Sequence, residues 1–99
     1  MARVMFMISY GIKAERREEY LALVKQLRDH LTTVGRKNYS VFEVKGKKNH
    51  FTEVFTTGSV EEYDALEDNL DDKAEQLEGQ LEEFVDDEGM KYTTLIEVL

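Results

Sequence analysis

Two glutamates on neighbouring short segments are the residues of this sequence best placed by type and spacing to do acid–base chemistry. Glu43 and Glu53 sit in the runs Tyr39-Ser40-Val41-Phe42-Glu43-Val44 and Phe51-Thr52-Glu53-Val54-Phe55-Thr56, which alternate as strands do. Alternation puts both carboxylates on one face with Val41, Phe51 and Phe55, and a tight hairpin register sets them directly opposite each other. Like charges in that position repel. If the face is buried, at least one carboxyl should titrate high enough to serve as a general acid or base. Glu53 is the stronger candidate, because its strand is expected at the sheet centre, and Glu97 of the last apolar run could join the pair. At a wet rim the same groups would be solvated, or paired with Arg3, Lys45 or Lys91.

His30 is the third catalytic candidate. It flanks the apolar positions Leu27 and Leu31, and would act as a proton shuttle near neutral pH if it leaned into the interior. On the flank it is a surface residue, and His50 at the end of a lysine-rich turn reads as a loop residue. Ser9, Tyr10, Tyr39 and Tyr92 could present hydroxyls to an enclosed space. Met5, Met7 and Phe55 could line an apolar ligand site or form interface core. The candidate ligand pocket is Met7, Ser9, Tyr39 and Phe55.

Metal chemistry finds little support, since two histidines far apart make no zinc motif and Asp86-Asp87-Glu88-Gly89 lacks the alternating ligands of a calcium loop. No phosphate-binding glycine loop occurs, and Gly58-Ser59 reads as a helix cap instead of a nucleophile setting. Neither a metal nor a cofactor is expected.

The elements that must position these residues follow from periodicity. Arg3 to Tyr10 opens as a strand apolar on both alternating sets, with Val4, Phe6, Ile8 and Tyr10 against Met5 and Met7. Ala14 to Val34 reads as a helix with one stripe at Tyr20, Leu21, Val24, Leu27, Leu31 and Val34, stopped by Gly35. The two runs around Glu43 and Glu53 flank the polar turn Lys45-Gly46-Lys47-Lys48-Asn49-His50 and form a β-hairpin. Ser59-Val60-Glu61-Glu62 is a capping box, followed by a stripe at Tyr63, Leu66, Leu70, Ala74, Leu77, Leu81 and Phe84. One helix over 60–87 would be about 42 Å long, too long for a small sheet, so a break is expected near Leu70-Asp71-Asp72. Lys91 to Leu99 reads as the last strand.

Composition bounds the class. The chain has 99 residues, 41% hydrophobic and 34% charged, with no cysteine, proline or tryptophan, and fits a single domain over residues 1–99. Without thiols or a ~20-residue apolar span, a cytoplasmic protein with no membrane association is expected. The net charge of −8 disfavours nucleic acid as a partner. Charge is lopsided: residues 1–50 carry 11 basic and 5 acidic residues, residues 51–99 carry 2 and 16. A solvated acidic helix face explains this most simply, and attraction between unlike surfaces, including those of a heterodimer, is the other reading.

The order βαββαβ with right-handed crossovers leads to an α+β, ferredoxin-like fold: a four-stranded antiparallel sheet in order 4-1-3-2 with both helices on one face. With Val4, Phe6 and Ile8 turned to the helices, the open face is expected to show Met5, Met7, Val41, Phe51, Phe55 and Leu95. Each such side chain gains roughly 1.5–3 kcal/mol on burial, so a cover is expected, most simply a second copy of the chain. On this order, the doubly apolar first strand, the hairpin and Ser59-Val60-Glu61-Glu62-Tyr63, the sequence resembles the dimeric α/β-barrel superfamily. It is most similar there to the antibiotic-biosynthesis-monooxygenase and NIPSNAP-like branch. The resemblance implies a homodimer with a pocket between sheet and helices in each subunit. Some members are cofactor-free oxygenases, others degrade haem with an Asn, Trp and His trio, and a chain without tryptophan departs from the latter. Two roles follow: a binding or interaction protein for an apolar small molecule, or a monooxygenase-like enzyme in which Glu53 or His30 takes a proton from an aromatic substrate.

Overall fold

The computed structural model describes residues 2–35, 37–66 and 70–99. The strands are β1 (Val4–Gly11), β2 (Asn38–Glu43), β3 (His50–Thr57) and β4 (Lys91–Ile96). The helices are α1 (Arg17–Thr33), α2 (Val60–Asp64) and α3 (Asp72–Leu81), with 3-10 turns at Ala14–Arg16 before α1 and Glu82–Phe84 after α3. The sheet runs β2-β3-β1-β4 with every pair antiparallel. This is the ferredoxin-like arrangement expected from the sequence, with the strand order read from the opposite edge.

Register decides which side chain meets the helices, because cross-strand partners share a face. Phe6 pairs with Phe55 and Tyr10 with Phe51. Val41 pairs with Glu53, and Tyr39 with Phe55. All of these therefore lie on the helix side, together with Val4 and Ile8. This corrects the expectation that Val41, Phe51 and Phe55 occupy the open face: each has a partner from the helix-facing set of the neighbouring strand. The open face carries Met5, Met7, Phe42, Val54 and Leu95, interleaved with Ser9, Ser40, Thr52, Thr56 and Thr93. It remains partly apolar and exposed, with Met5 at 38%, Phe42 at 58% and Leu95 at 48%.

The helices close over the other face. Tyr20, Leu23, Val24, Leu27 and Leu31 are the buried stripe of α1. Leu23 replaces Val34 in the expected set: the helix ends at Thr33, and Val34 is 63% exposed where the chain turns through Gly35. Ala74, Leu77 and Leu81 of α3 and Phe84 just beyond it complete the core.

The expected break in the second helical region is present. Ser59 Oγ accepts from the Glu62 amide at 3.1 Å, while the Glu62 carboxylate accepts from Gly58, one residue earlier than a standard capping box, at 2.6 Å. The helix so started ends at Asp64. A second helix begins afresh at Asp71, whose carboxylate accepts from the Ala74 amide at 2.9 Å. The last strand stops at Ile96, three residues short of the expected end. Beyond it the chain is tied to β1 by Glu97 N–H on the Arg3 carbonyl at 2.9 Å and by an Arg3–Glu97 ion pair at 2.7 Å. Among the described residues no helix is long and apolar enough to cross a membrane.

Asp71 also meets His30 of α1, with Nε2 2.8 Å from both carboxylate oxygens. The Ala74 amide, then His30, holds its carboxyl below the usual range. Asp71→Ala should therefore lower the melting temperature by roughly 5 °C, whereas Asp72→Ala, on the neighbouring carboxylate outside the cap, should change it little. Thermal unfolding by circular dichroism compares the two, and equal effects would remove the capping role.

Candidate functional site

Glu53 lies at the centre of the helix-facing side of the sheet. Across the strands its neighbours are Val41 and Ile8, and along β3 they are Phe51 and Phe55. The side chain is 0% exposed. Tyr39 donates its hydroxyl to Glu53 Oε1 at 2.6 Å, and Oε2 has no hydrogen-bond partner. Burial pushes this carboxyl above the usual glutamate range, and the hydroxyls of Tyr39 and nearby Tyr10 pull it only part of the way back. Burial and the Glu53 charge push the Tyr39 and Tyr10 phenols up in turn. Tyr10 is bonded to Tyr20 at 2.8 Å, so three tyrosines lie in or beside this buried network.

Glu43 is built differently, although it shares the face. Its partner across the hairpin is Phe51, one strand repeat from Glu53, so the two carboxylates are not opposed. Arg17 of α1 grips Glu43 with two hydrogen bonds at 2.7 and 2.9 Å, and the Asn49 amide adds a third at 2.9 Å. The guanidinium first, then the amide, hold the Glu43 carboxyl down at about 2. This group is an anchor between α1 and the hairpin, ionised at any working pH. His30 lies at the far end of α1 with Asp71 and is not brought to Glu53.

The proposed pocket residues divide between the two faces. Phe55 and Tyr39 are on the helix side, with rings 4.7 Å apart. Met7 and Ser9 are on the open side, where Ser9 Oγ and Thr52 Oγ1 are hydrogen-bonded at 2.9 Å. No single enclosed space can therefore contain all four.

A cavity of about 450 Å³, half-open to solvent, lies between the sheet and the second helical region. Its floor is Phe6, Ile8 and Phe55, and Tyr92 of β4 forms one side. Tyr63, Leu66 and Leu70 supply the wall where the helices break. Phe6 is the hub of the aromatic lining, with ring centroids 6.0 Å from Tyr63, 6.2 Å from Tyr92 and 6.3 Å from Phe55. Asp64, Glu78 and Glu82 bring carboxyls to the rim and wall, and Met90 fills the end.

Glu78 joins this cavity to the buried Glu53. Desolvation first, then the charges of Glu53 and Glu82, raise its carboxyl to about 8. No basic side chain contributes to the shift of either glutamate. At neutral pH Glu78 therefore retains its proton, and its titration is linked to that of Glu53. The arrangement offers an apolar, aromatic-walled space with one carboxyl group, that of Glu78, able to give or take a proton near pH 8.

Sequence reasoning missed Glu78, although its signal was there. Ala74, Leu77, Glu78 and Leu81 have the i, i+3, i+4, i+7 spacing of a buried helix stripe, so Glu78 shares the inward face. It is hidden among neighbouring glutamates that point outward.

The same fold recurs in solved structures. A candidate antibiotic biosynthesis monooxygenase of Caulobacter crescentus superposes with a TM-score of 0.82 at 11% identity, covering 99% of this chain and 92% of that one. An uncharacterised NIPSNAP domain protein of Burkholderia xenovorans gives 0.74 at 12% identity, covering 96% and 94%. SnoaB, a cofactor-independent oxygenase of Streptomyces nogalater, gives 0.72 at 9% identity, covering 94% and 90%. This chain has the antibiotic-biosynthesis-monooxygenase and NIPSNAP fold. No family model and no curated protein matches the sequence. At these identities the likeness concerns the fold, and it carries no residue of the cavity with it.

The raised Glu78 carboxyl has a consequence for stability. A folded value of about 8 against an ordinary 4.5 means that the native state holds a proton the unfolded chain releases. Stability is therefore full below about pH 4.5 and falls as pH rises towards 8. Glu78→Gln removes this linkage. Its melting temperature should exceed that of the unsubstituted chain at pH 8.5, and the difference should shrink towards pH 5. Parallel melting curves from pH 5 to 9 test this, and superimposable profiles would show that Glu78 is not desolvated.

Proposed function

We propose that this chain is a small-molecule-binding protein that works as a homodimer, each subunit holding an apolar, aromatic-containing ligand in the cavity between sheet and helices. The observation that carries the ligand reading is the cavity of about 450 Å³ walled by Phe6, Phe55, Tyr63 and Tyr92 with Glu78 at its side. This volume suits a drug-sized or smaller molecule, and apolar walls with a few placed polar groups are the usual make-up of such sites.

The dimer reading is supported by the open sheet face. Met5, Phe42 and Leu95 are exposed there beside half-buried Met7 and Val54. Short hydroxyl residues between them leave the surface flat enough to meet its own copy about a two-fold axis. A monomer gains nothing from methionine, phenylalanine and leucine in contact with water on one sheet face.

A second reading is favoured by one observation, the Glu78 carboxyl poised near 8 at the cavity wall. In this reading the ionised Glu78 takes a proton from an enolisable aromatic substrate, with Glu53 behind it, and the resulting carbanion is oxidised by molecular oxygen. The cofactor-independent oxygenase SnoaB shares the fold, which makes the chemistry worth testing. His30 takes no part, because Asp71 holds it away from the cavity.

Two measurements test the proposal. Light scattering on the eluted protein should give a mass twice the 11.5 kDa of the chain, and Met5→Lys with Leu95→Lys should shift the species to the monomer while the fold persists. A monomer at micromolar concentration in the unsubstituted protein would overturn the dimer. For the oxygenase reading, oxygen uptake with enolisable polycyclic phenols should rise with pH towards 8 and drop at least tenfold in Glu78→Gln. Ligand binding without oxygen uptake would leave the binding role and remove the enzymatic one.

A further inference from the structure

We propose that the cavity selects organic cations, an ammonium or related positive head carried on an apolar, preferably aromatic, body. This deepens the small-molecule-binding reading and rests on it. Three features in and beside this space support it. Asp64, Glu78 and Glu82 line the cavity, and among the described residues no lysine, arginine or histidine does so. The rings of Phe6, Phe55, Tyr63 and Tyr92 cluster around it, and aromatic faces attract cations through their quadrupoles. Beside the floor, next to Ile8 and Phe55, fully buried Glu53 keeps one carboxyl oxygen without a partner. A carboxylate or phosphate ligand would meet only acidic groups here and no basic side chain, whereas a cation finds carboxyls able to ionise beside it.

The aromatic lining is partly held in place. Tyr63 Oη is bonded to Thr94 Oγ1 at 3.1 Å, and Tyr92 Oη donates to Met90 Sδ at 3.4 Å. Neither phenol is therefore the natural head-group contact, and the carboxyls of Glu78, Glu82 and Asp64 are.

Binding should be linked to protonation at Glu78. The titratable groups facing Glu78 are Glu53 on β3 and Glu82 beyond α3, with Asp64 and Tyr63 on α2 and Tyr92 on β4 around the same cavity. Tyr39 and Tyr10 act on it through Glu53. All are acids, so a fixed positive charge among them favours the ionised carboxylate and releases a proton on binding. Affinity for such a ligand should rise by about tenfold between pH 6.5 and 8.5.

The test uses the full chain and three probes of similar size: benzyltrimethylammonium, its neutral isostere neopentylbenzene, and phenylacetate. Amide chemical-shift mapping locates binding, and calorimetry in two buffers of different ionisation enthalpy reads the proton. The cation should bind at the cavity, release a proton, and lose at least fivefold affinity in Glu78→Gln and again in Glu82→Gln. If the neutral probe binds the cavity as tightly or the anion more tightly, cation selection is overturned while the binding cavity stands. If no probe shifts the cavity residues, or the cation perturbs only the outer acidic surface, both readings fail.

Discussion

The structure depends on a carboxyl group that is hard to bury. Glu53 occupies the position in β3 where the strand pattern calls for a hydrophobic residue: every second residue from Phe51 to Thr57 is buried, and Glu53 is among them. Valine there would pack between Val41 and Ile8 without an electrostatic cost. A glutamate is tolerated because Tyr39 donates to one oxygen, while burial pushes the carboxyl above the usual range. Such a residue contributes less to stability than an apolar one would. Its place next to a cavity is therefore a more informative fact than its burial alone, since the Glu53 charge helps to raise the Glu78 carboxyl at the cavity wall.

The cavity itself is a product of the broken helix. A continuous helix from Ser59 onwards would have laid one stripe along the sheet. Instead α2 ends after five residues, and the Asp71 cap restarts the chain as α3, whose stripe packs against α1 and the core. The space left beside Phe6 and Tyr92 is bounded by residues on both sides of that break: Tyr63 and Leu66 before it, Leu70 and Glu78 after it. The capping interactions of Ser59 and Asp71 thus reach the candidate site without touching it, by setting where helical cover begins and ends.

Element order, strand order and the helix break could be read from the sequence because each rests on local signals: alternation, a capping serine, a glycine stop and the improbable length of one helix. Glu53 was legible for a similar reason, as a charged residue in a strand expected at the sheet centre. Facing was harder. The first strand is apolar on both sets, so nothing in β1 alone says whether Phe55 joins Phe6 or Met7, and the answer lies in the register of β1 with β3. The same ambiguity placed Met7 and Ser9 beside Tyr39 and Phe55, from which the sheet separates them. Glu43 was indistinguishable from Glu53 by alternation. What separates them is Arg17, the first residue of α1 and 26 residues from Glu43, a partner visible only once α1 lies across the hairpin.

The uneven charge of the chain acquires a meaning that its sum does not have. Among the described residues the arginine pairs are peripheral: Arg3 with Glu97 at the sheet edge, Arg16 with Glu19 and Arg28 with Asp29 along α1, and Arg17 with Glu43 at the hairpin. The basic first half of the sequence thus spends its charge on α1 and the strand ends. The acidic second half supplies α2 and α3, the elements that wall the cavity. Most of their carboxylates face water, where repulsion is screened within about 8–10 Å. Glu78 is turned inward by the helix period, towards Glu53 and away from any cation, and there the imbalance is expressed as retained protons. A net charge that looks like a surface property therefore reaches the interior through Glu53 and Glu78, and bears on the sign of the charge the cavity can accept.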